Sequence, residues 1–326
     1  MIVASYWAES RKKVRKGGKQ ITVRRHGWSD VDQEQAEAMA EARALDTLNR
    51  ILAGDNLDRS EPKVAYNGAE GVPIREEILS RHGKEVITRN AYGAKCLNTP
   101  DVLIADVDFA LEASLLFKTF TFLALFLPLF FAGWLLGHTR LGILFGVISL
   151  LFVSVLSITI IKLKVKMAGG YVAQVKKRIL TFLSKNADWN IRVYRTPCGV
   201  RLIVTHQNFQ SSDTIVKNFF ESVGADPLYV KMCEKQACFR ARLTAKPWRI
   251  GIKTRMKPRP GVWPITPERQ KERSSWIELY EKKAANYAAC NFIESLGSGK
   301  VHPKISAIVN LHDEESKAML STISIA

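Results

Sequence analysis

The sequence predicts an α+β fold: a mixed or antiparallel sheet domain interrupted by a two-helix transmembrane hairpin. Three observations carry this. Two adjacent uncharged apolar runs, Thr119 to Leu136 and Leu141 to Ile161, sit in mid-chain. Short strand-like runs bounded by Gly, Pro and Asn lie on both sides of them, and helical spacings alternate with those runs. The expected organisation is a soluble N-terminal half over residues 1–117, the hairpin over 118–162 and a soluble C-terminal half over 163–326. The two halves are expected to meet in one domain.

Each apolar run matches the roughly 20 residues a helix needs to cross ~30 Å of hydrocarbon. Gly137-His138-Thr139-Arg140 between them is so short that the helices must be antiparallel neighbours, and Pro128 is expected to kink the first. Lys118 precedes the hairpin and Lys162, Lys164, Lys166, Lys176, Lys177 and Arg178 follow it, against a lone Arg140 in the turn. This asymmetry predicts a two-pass protein of the inner, cytoplasmic membrane with both termini in the cytoplasm. Neither run carries an ionisable residue, so the hairpin reads as an anchor in the lipid bilayer and not as a transport pathway.

Before the hairpin, a basic polar leader runs from Met1 to Lys19 and lacks the apolar run of a secretory signal. Gln20 to Arg25 reads as a short strand. A helix follows from about Asp30 to Ala53, with Ser29 and Asp32 as a capping box, Ala38, Ala42, Leu45, Leu48 and Leu52 at helical spacing, and Gly54 as its stop. Val86 to Arg89 and Ala94 to Leu97 suggest a hairpin, and Val102 to Phe109 is a strand.

After the membrane runs, Gly170 to Ser184 reads as an amphipathic helix. Ile191 to Tyr194 and Val200 to Thr205 read as strands joined across Thr196-Pro197-Cys198-Gly199. Ser212 to Val223 is a helix and Cys238 to Leu243 a strand. Lys246 to Pro264 is a basic, proline-rich surface stretch, and a final helix runs from Thr266-Pro267-Glu268 to about Ser295.

The formal charge is +17, from 48 Lys and Arg against 31 Asp and Glu, which favours anionic partners: nucleotides, nucleic acid or acidic lipid headgroups. Five cysteines form no CxxC pair, consistent with reduced thiols. Cys233 and Cys238 with His206 or His302 make only a loose zinc pattern. No Walker A loop, GxGxxG fingerprint or GxSxG element occurs.

Chemistry concentrates in two segments. Strand alternation puts Asp106 and Asp108 on one face, near enough to share a divalent cation that cancels their repulsion. Downstream, His206 ends a second strand, and Arg195 and Arg201 flank its preceding turn, where they can meet phosphate oxygens. Arg240, Arg242 and Arg249 belong to the densest basic and aromatic stretch, suited to an anionic substrate or to a membrane surface.

The run Ile104-Ala105-Asp106-Val107-Asp108, followed by Thr196-Pro197-Cys198-Gly199 and His206, resembles the archaeo-eukaryotic primase (primase-polymerase) superfamily. The resemblance covers about 140 residues and implies a nucleotidyltransferase. In it, Asp106 and Asp108 would hold a magnesium or manganese ion and His206 would contact nucleotide phosphates. The family's third carboxylate strand has no match at Phe239-Arg240-Ala241-Arg242; Asp226 and Asp313 are the substitutes. Two rivals stand beside it: a non-enzymatic membrane-anchored binding or scaffold protein, and a DxD nucleotide-sugar glycosyltransferase.

Overall fold

The computed structural model describes residues 1–61, 72–109, 113–259 and 263–326. Strands β1 (Tyr6–Lys16) and β2 (Lys19–Ser29) form a long antiparallel hairpin, so the expected polar leader is instead a strand. Its two-residue turn is Gly17-Gly18, both at positive φ, the backbone that matches the twist of paired strands. The Arg/Lys-rich composition hid β1, because one face of this ribbon is not buried in a core.

Helix α1 (Gln33–Ala53) packs on the ribbon through Ala36, Ala40 and Ala44. Gly27 of β2 lies so close that a Cβ there would fall 2.2 Å from the Ala36 carbonyl oxygen. The N-cap is Asp32, whose side chain accepts from the Gln35 amide, three residues later than the expected cap; Ser29 accepts from the Val31 and Asp32 amides just before the helix.

Two four-stranded sheets form the core. One has the order β3 (Glu77–His82), β4 (Glu85–Arg89), β5 (Lys95–Thr99), β9 (Phe239–Arg242). The other has the order β10 (Asn291–Gly297), β7 (Asn190–Arg195), β8 (Gly199–Val204), β6 (Ile104–Asp108). Every pairing is antiparallel. Strands from before the membrane runs pair with strands from after them, β5 with β9 and β6 with β8, so the two flanks are one α+β unit. Leu97, Leu103, Ile104, Leu202, Ile203, Phe219 and Phe239 share one buried cluster between the layers.

Helices α4 (Gly170–Leu183) and α5 (Thr214–Val223) present Ile179, Phe182, Phe219 and Phe220 to that cluster. Two helices were not expected, α6 (Pro227–Gln236) and α8 (Pro303–Ser316), and neither was β3. The final helix ends early: α7 covers Pro267–Ala284, and the segment read as its last turns is strand β10. Phe292, Glu294 and Leu296 fit a strand at the sheet edge as well as a helix, and pairing with β7 decides between them. Of the extended stretch Lys246–Pro264, residues 260–262 lie outside the described residues; Pro247–Ile250 forms a short 3-10 turn.

Helices α2 (Leu115–Leu135) and α3 (Thr139–Met167) are adjacent and antiparallel, and both are long and apolar enough to cross a membrane. Only 6% and 17% of their most apolar stretches are buried. Leu116, Phe120, Phe131, Leu151 and Phe152 are exposed, unlike the core helices of a soluble protein. The helices approach closely at small residues, with Gly133 against Gly142 and Gly146 under the Phe126 ring. Hydroxyls of Thr121 and Ser149 bond back to carbonyls one turn earlier, which satisfies them inside an apolar pair.

Candidate functional site

A cavity of about 420 Å³ lies where β6 and β8 of one sheet meet β9 of the other and the start of α6. Asp106 and Asp108 project from β6 into it, and Asp226 joins them from the N-cap of α6. The Asp226 amide donates to the Asp106 carbonyl at 3.0 Å, which ties the start of α6 to the strand. The Tyr229 hydroxyl repeats the tie one turn on, donating to the Ile104 carbonyl at 2.9 Å. Asp226, one of the two substitutes for a third carboxylate, is thus beside the pair. Asp313, the other, is on α8 and bonds Arg192 at 2.7 Å.

The turn before β8 closes on β6 because residue 199 is glycine: a Cβ there would meet the Val107 carbonyl oxygen at 2.2 Å. This approach lets the Phe109 amide donate to the Cys198 carbonyl at 2.9 Å and sets Thr196 and Cys198 on the cavity wall.

The antiparallel register puts Arg201, not a histidine, opposite Asp106. Its guanidinium is buried and grips both carboxylate oxygens, Nε at 2.9 Å and Nη2 at 3.2 Å. A third contact runs from Nη1 to the Arg242 carbonyl at 2.8 Å. Behind it stands buried His312, 3.3 Å from Arg201 and 2.9 Å from Asp313. His312 lies on a helix the sequence reading lacked, so no local signal marked it.

His206 does not line the cavity. It follows the far end of β8, next to Trp189 and Phe209, where burial lowers its pKa against the pull of Asp188. Six residues separate it from Gly199, the partner of Asp108, and at ~3.3 Å per step along the strand they carry it to the opposite end of β8. Arg195 is also elsewhere, stacked 4.4 Å over Phe109. Arg240 lines the wall but is committed, bonding Asn98 and, at 2.7 Å, the buried Glu76.

The remaining basic residues share the cavity with the acids. Arg242, Lys246 and Arg249 line the cavity, and Arg242 also donates to the Thr244 carbonyl at 2.7 Å and to an oxygen of Ala326 at 3.3 Å. Arg249 donates to the Cys198 sulfur at 2.8 Å. Like charges are crowded within it. The Asp108 pKa is raised by desolvation and then by Asp106 and Asp226, whereas Lys246 is pushed down by burial and then by Arg242 and Arg249. Such a mixed lining suits a ligand that brings both a cation and an anion. Lys246 was missed although it belongs to the run containing Arg249; its spacing did not distinguish it from surface lysines.

Among the described residues no group of three or more His, Cys, Asp and Glu side chains is arranged to hold a metal ion. Cys233 and Cys238 are buried, and burial pushes both thiols up, Cys238 to about 11. Comparison with protein-family models, with curated proteins and with solved structures finds no match.

Proposed function

We propose that the chain is a two-pass protein of the inner, cytoplasmic membrane, anchored by α2 and α3 with both termini cytoplasmic. In this reading its cavity binds the phosphates of a nucleotide or nucleic acid and carries out metal-dependent nucleotidyl transfer of the primase type. The observation that carries it is that Asp106, Asp108 and Asp226 line one cavity together with Arg242, Lys246 and Arg249. In this reading magnesium or manganese would arrive with the phosphates, because Asp106, Asp108 and Asp226 form no ready-made metal cage; it would relieve the crowding at Asp108, with Arg201 occupying only part of the Asp106 lone pairs. Asp108 and the free side of Asp106 would contact the ion, which supplies charge neutralisation at the phosphates. Arg242, Lys246 and Arg249 would orient phosphate oxygens and stabilise the departing pyrophosphate.

A second reading has its own support. Arg201 already neutralises Asp106, so the site would bind phosphates without transferring them, as a membrane-anchored binding protein. The test is Asp108→Asn, because Asp106 variants also disturb Arg201. Detergent-solubilised protein is assayed for ATP binding and for incorporation on a primed template, with and without manganese. Manganese-dependent binding and extension that Asp108→Asn lacks support transfer. Binding without extension selects the second reading, and absence of ATP binding in the wild type sinks both.

A further inference from the structure

The carboxylate cavity has a neighbour. Ala91 and Tyr92 lie on the walls of both, and the second cavity measures about 630 Å³. It presents three aromatic rings, Tyr92, Trp248 and Trp276, and three cations, Lys253, Arg255 and Arg259, with no carboxylate on its wall among the described residues. Trp248 is 58% exposed, an unusual cost for an indole. It stands edge-on to Tyr92 at 5.3 Å, with the Lys246 ammonium 5.5 Å from its ring. Trp276 is held rigidly, stacked on Tyr280 at 5.3 Å and donating to the Thr254 carbonyl at 3.2 Å. Among the described residues, Lys253, Arg255 and Arg259 have no carboxylate within ion-pair distance, whereas Lys257 between them pairs with Glu272.

A ligand for this groove must offer flat apolar faces and regularly placed negative charge. We propose that it takes a single-stranded oligonucleotide, with bases against Trp248 and Tyr92 and backbone phosphates along Lys253, Arg255 and Arg259, leading through Tyr92 into the carboxylate cavity. The inference rests on the phosphate-site reading above for where the strand leads; the groove itself is measured separately. Stacking on an aromatic side chain needs an unpaired base, which excludes an intact duplex. A mononucleotide would fill one cavity and leave the other empty. A membrane surface meets projecting rings, whereas these rings line a concavity.

The test uses the full-length protein in detergent and a fluorescein-labelled twelve-residue oligothymidylate followed by anisotropy, beside ATP binding with manganese. The wild type should bind the single strand at least ~10-fold more tightly than a duplex of the same length. Trp248→Ala should weaken it ~5-fold or more, the loss of one stacked base. The pair Arg255→Glu, Arg259→Glu should weaken it further and flatten its salt dependence, each lost phosphate contact removing about 0.7 from the logarithmic slope. ATP affinity should stay within about twofold in these variants. Equal affinity for duplex, or single-strand binding indifferent to all three substitutions, overturns the proposal. So does binding to phosphatidylserine vesicles that the same substitutions abolish while the oligonucleotide fails to bind. If the oligonucleotide binds as expected and ATP does not, the phosphate-site reading fails and the groove stands.

Discussion

Arg201 and Asp106 form a two-point ion pair across the β6–β8 ladder, with the guanidinium buried and the carboxylate facing the cavity. The asymmetry in burial makes the two partners unequal. Removing the carboxylate strands a cation that cannot reach water, and breaking such a pair costs about 3 kcal/mol. Asp108, exposed and crowded by like charge, has no such role. Urea midpoints should therefore fall sharply for Asp106→Asn and stay level or rise for Asp108→Asn. Equal losses in both would mean that the pair does not hold the sheet together.

Cys198 is the one exposed cysteine; Cys96, Cys233, Cys238 and Cys290 are buried. A maleimide reagent on the native protein should label one thiol per chain, and peptide mapping should find it at Cys198. Because that sulfur sits beside Arg249 on the cavity wall, the label should abolish ATP binding, and ATP with manganese should slow labelling. Full ATP binding by labelled protein would remove Cys198 and Arg249 from the site.

Gly27→Ala tests the seat of α1 on the ribbon. The added methyl would overlap Ala36 and Ala40 backbone atoms at 2.2 and 2.3 Å, which cannot rotate away as a side chain could. The helix must lift, at a cost of about 3 kcal/mol or more. Limited proteolysis should then cut within α1 while the two-sheet core survives; unchanged resistance would show that the contact is looser than the geometry implies.

Replacing residues 114–168 by a short Gly/Ser linker should yield a protein that is soluble without detergent and keeps its ATP affinity. The prediction follows because α2 and α3 are antiparallel, which returns the chain to near its departure point, while β5–β9 and β6–β8 hold the flanks together. Insolubility with a lost cavity would make the helices part of the folding core.

His26 is buried, with Arg75 Nη1 3.0 Å from both ring nitrogens; burial first and then this guanidinium push its pKa down to about 4. Its ordinary value is 6.5, so the unfolded chain binds a proton between these values that the folded chain refuses. Stability from this site is full above about pH 6.5 and declines as pH falls toward about 4, by on the order of 3 kcal/mol. His26→Gln should flatten the pH dependence of the urea midpoint in that window; a slope equal to the wild type would assign the acid sensitivity elsewhere.

Much of the site's frame was legible locally. An apolar strand ending in Asp106 and Asp108 needs no partner to be recognised, and Thr196-Pro197-Cys198-Gly199 announces a turn whatever it packs on. What the turn delivers was not legible. His206 and Arg201 both follow it, and only the register with β6 decides which faces Asp106. Arg240 and Arg249 look alike in sequence, yet the first is neutralised by Glu76, more than 160 positions away, and the second is not.

By itself the sequence determined the two long apolar helices, the carboxylate strand and the strand–turn–strand after them, because each depends on composition and spacing within a few residues. The tertiary structure alone decided that residues 6–16 pair as a strand, that 291–297 leave the last helix to join a sheet edge, and that Asp226, Arg242 and Lys246 share a cavity with Asp108. Those outcomes turn on hydrogen-bond ladders and burial between segments far apart in the chain, and no local pattern encodes which distant edge will accept a strand.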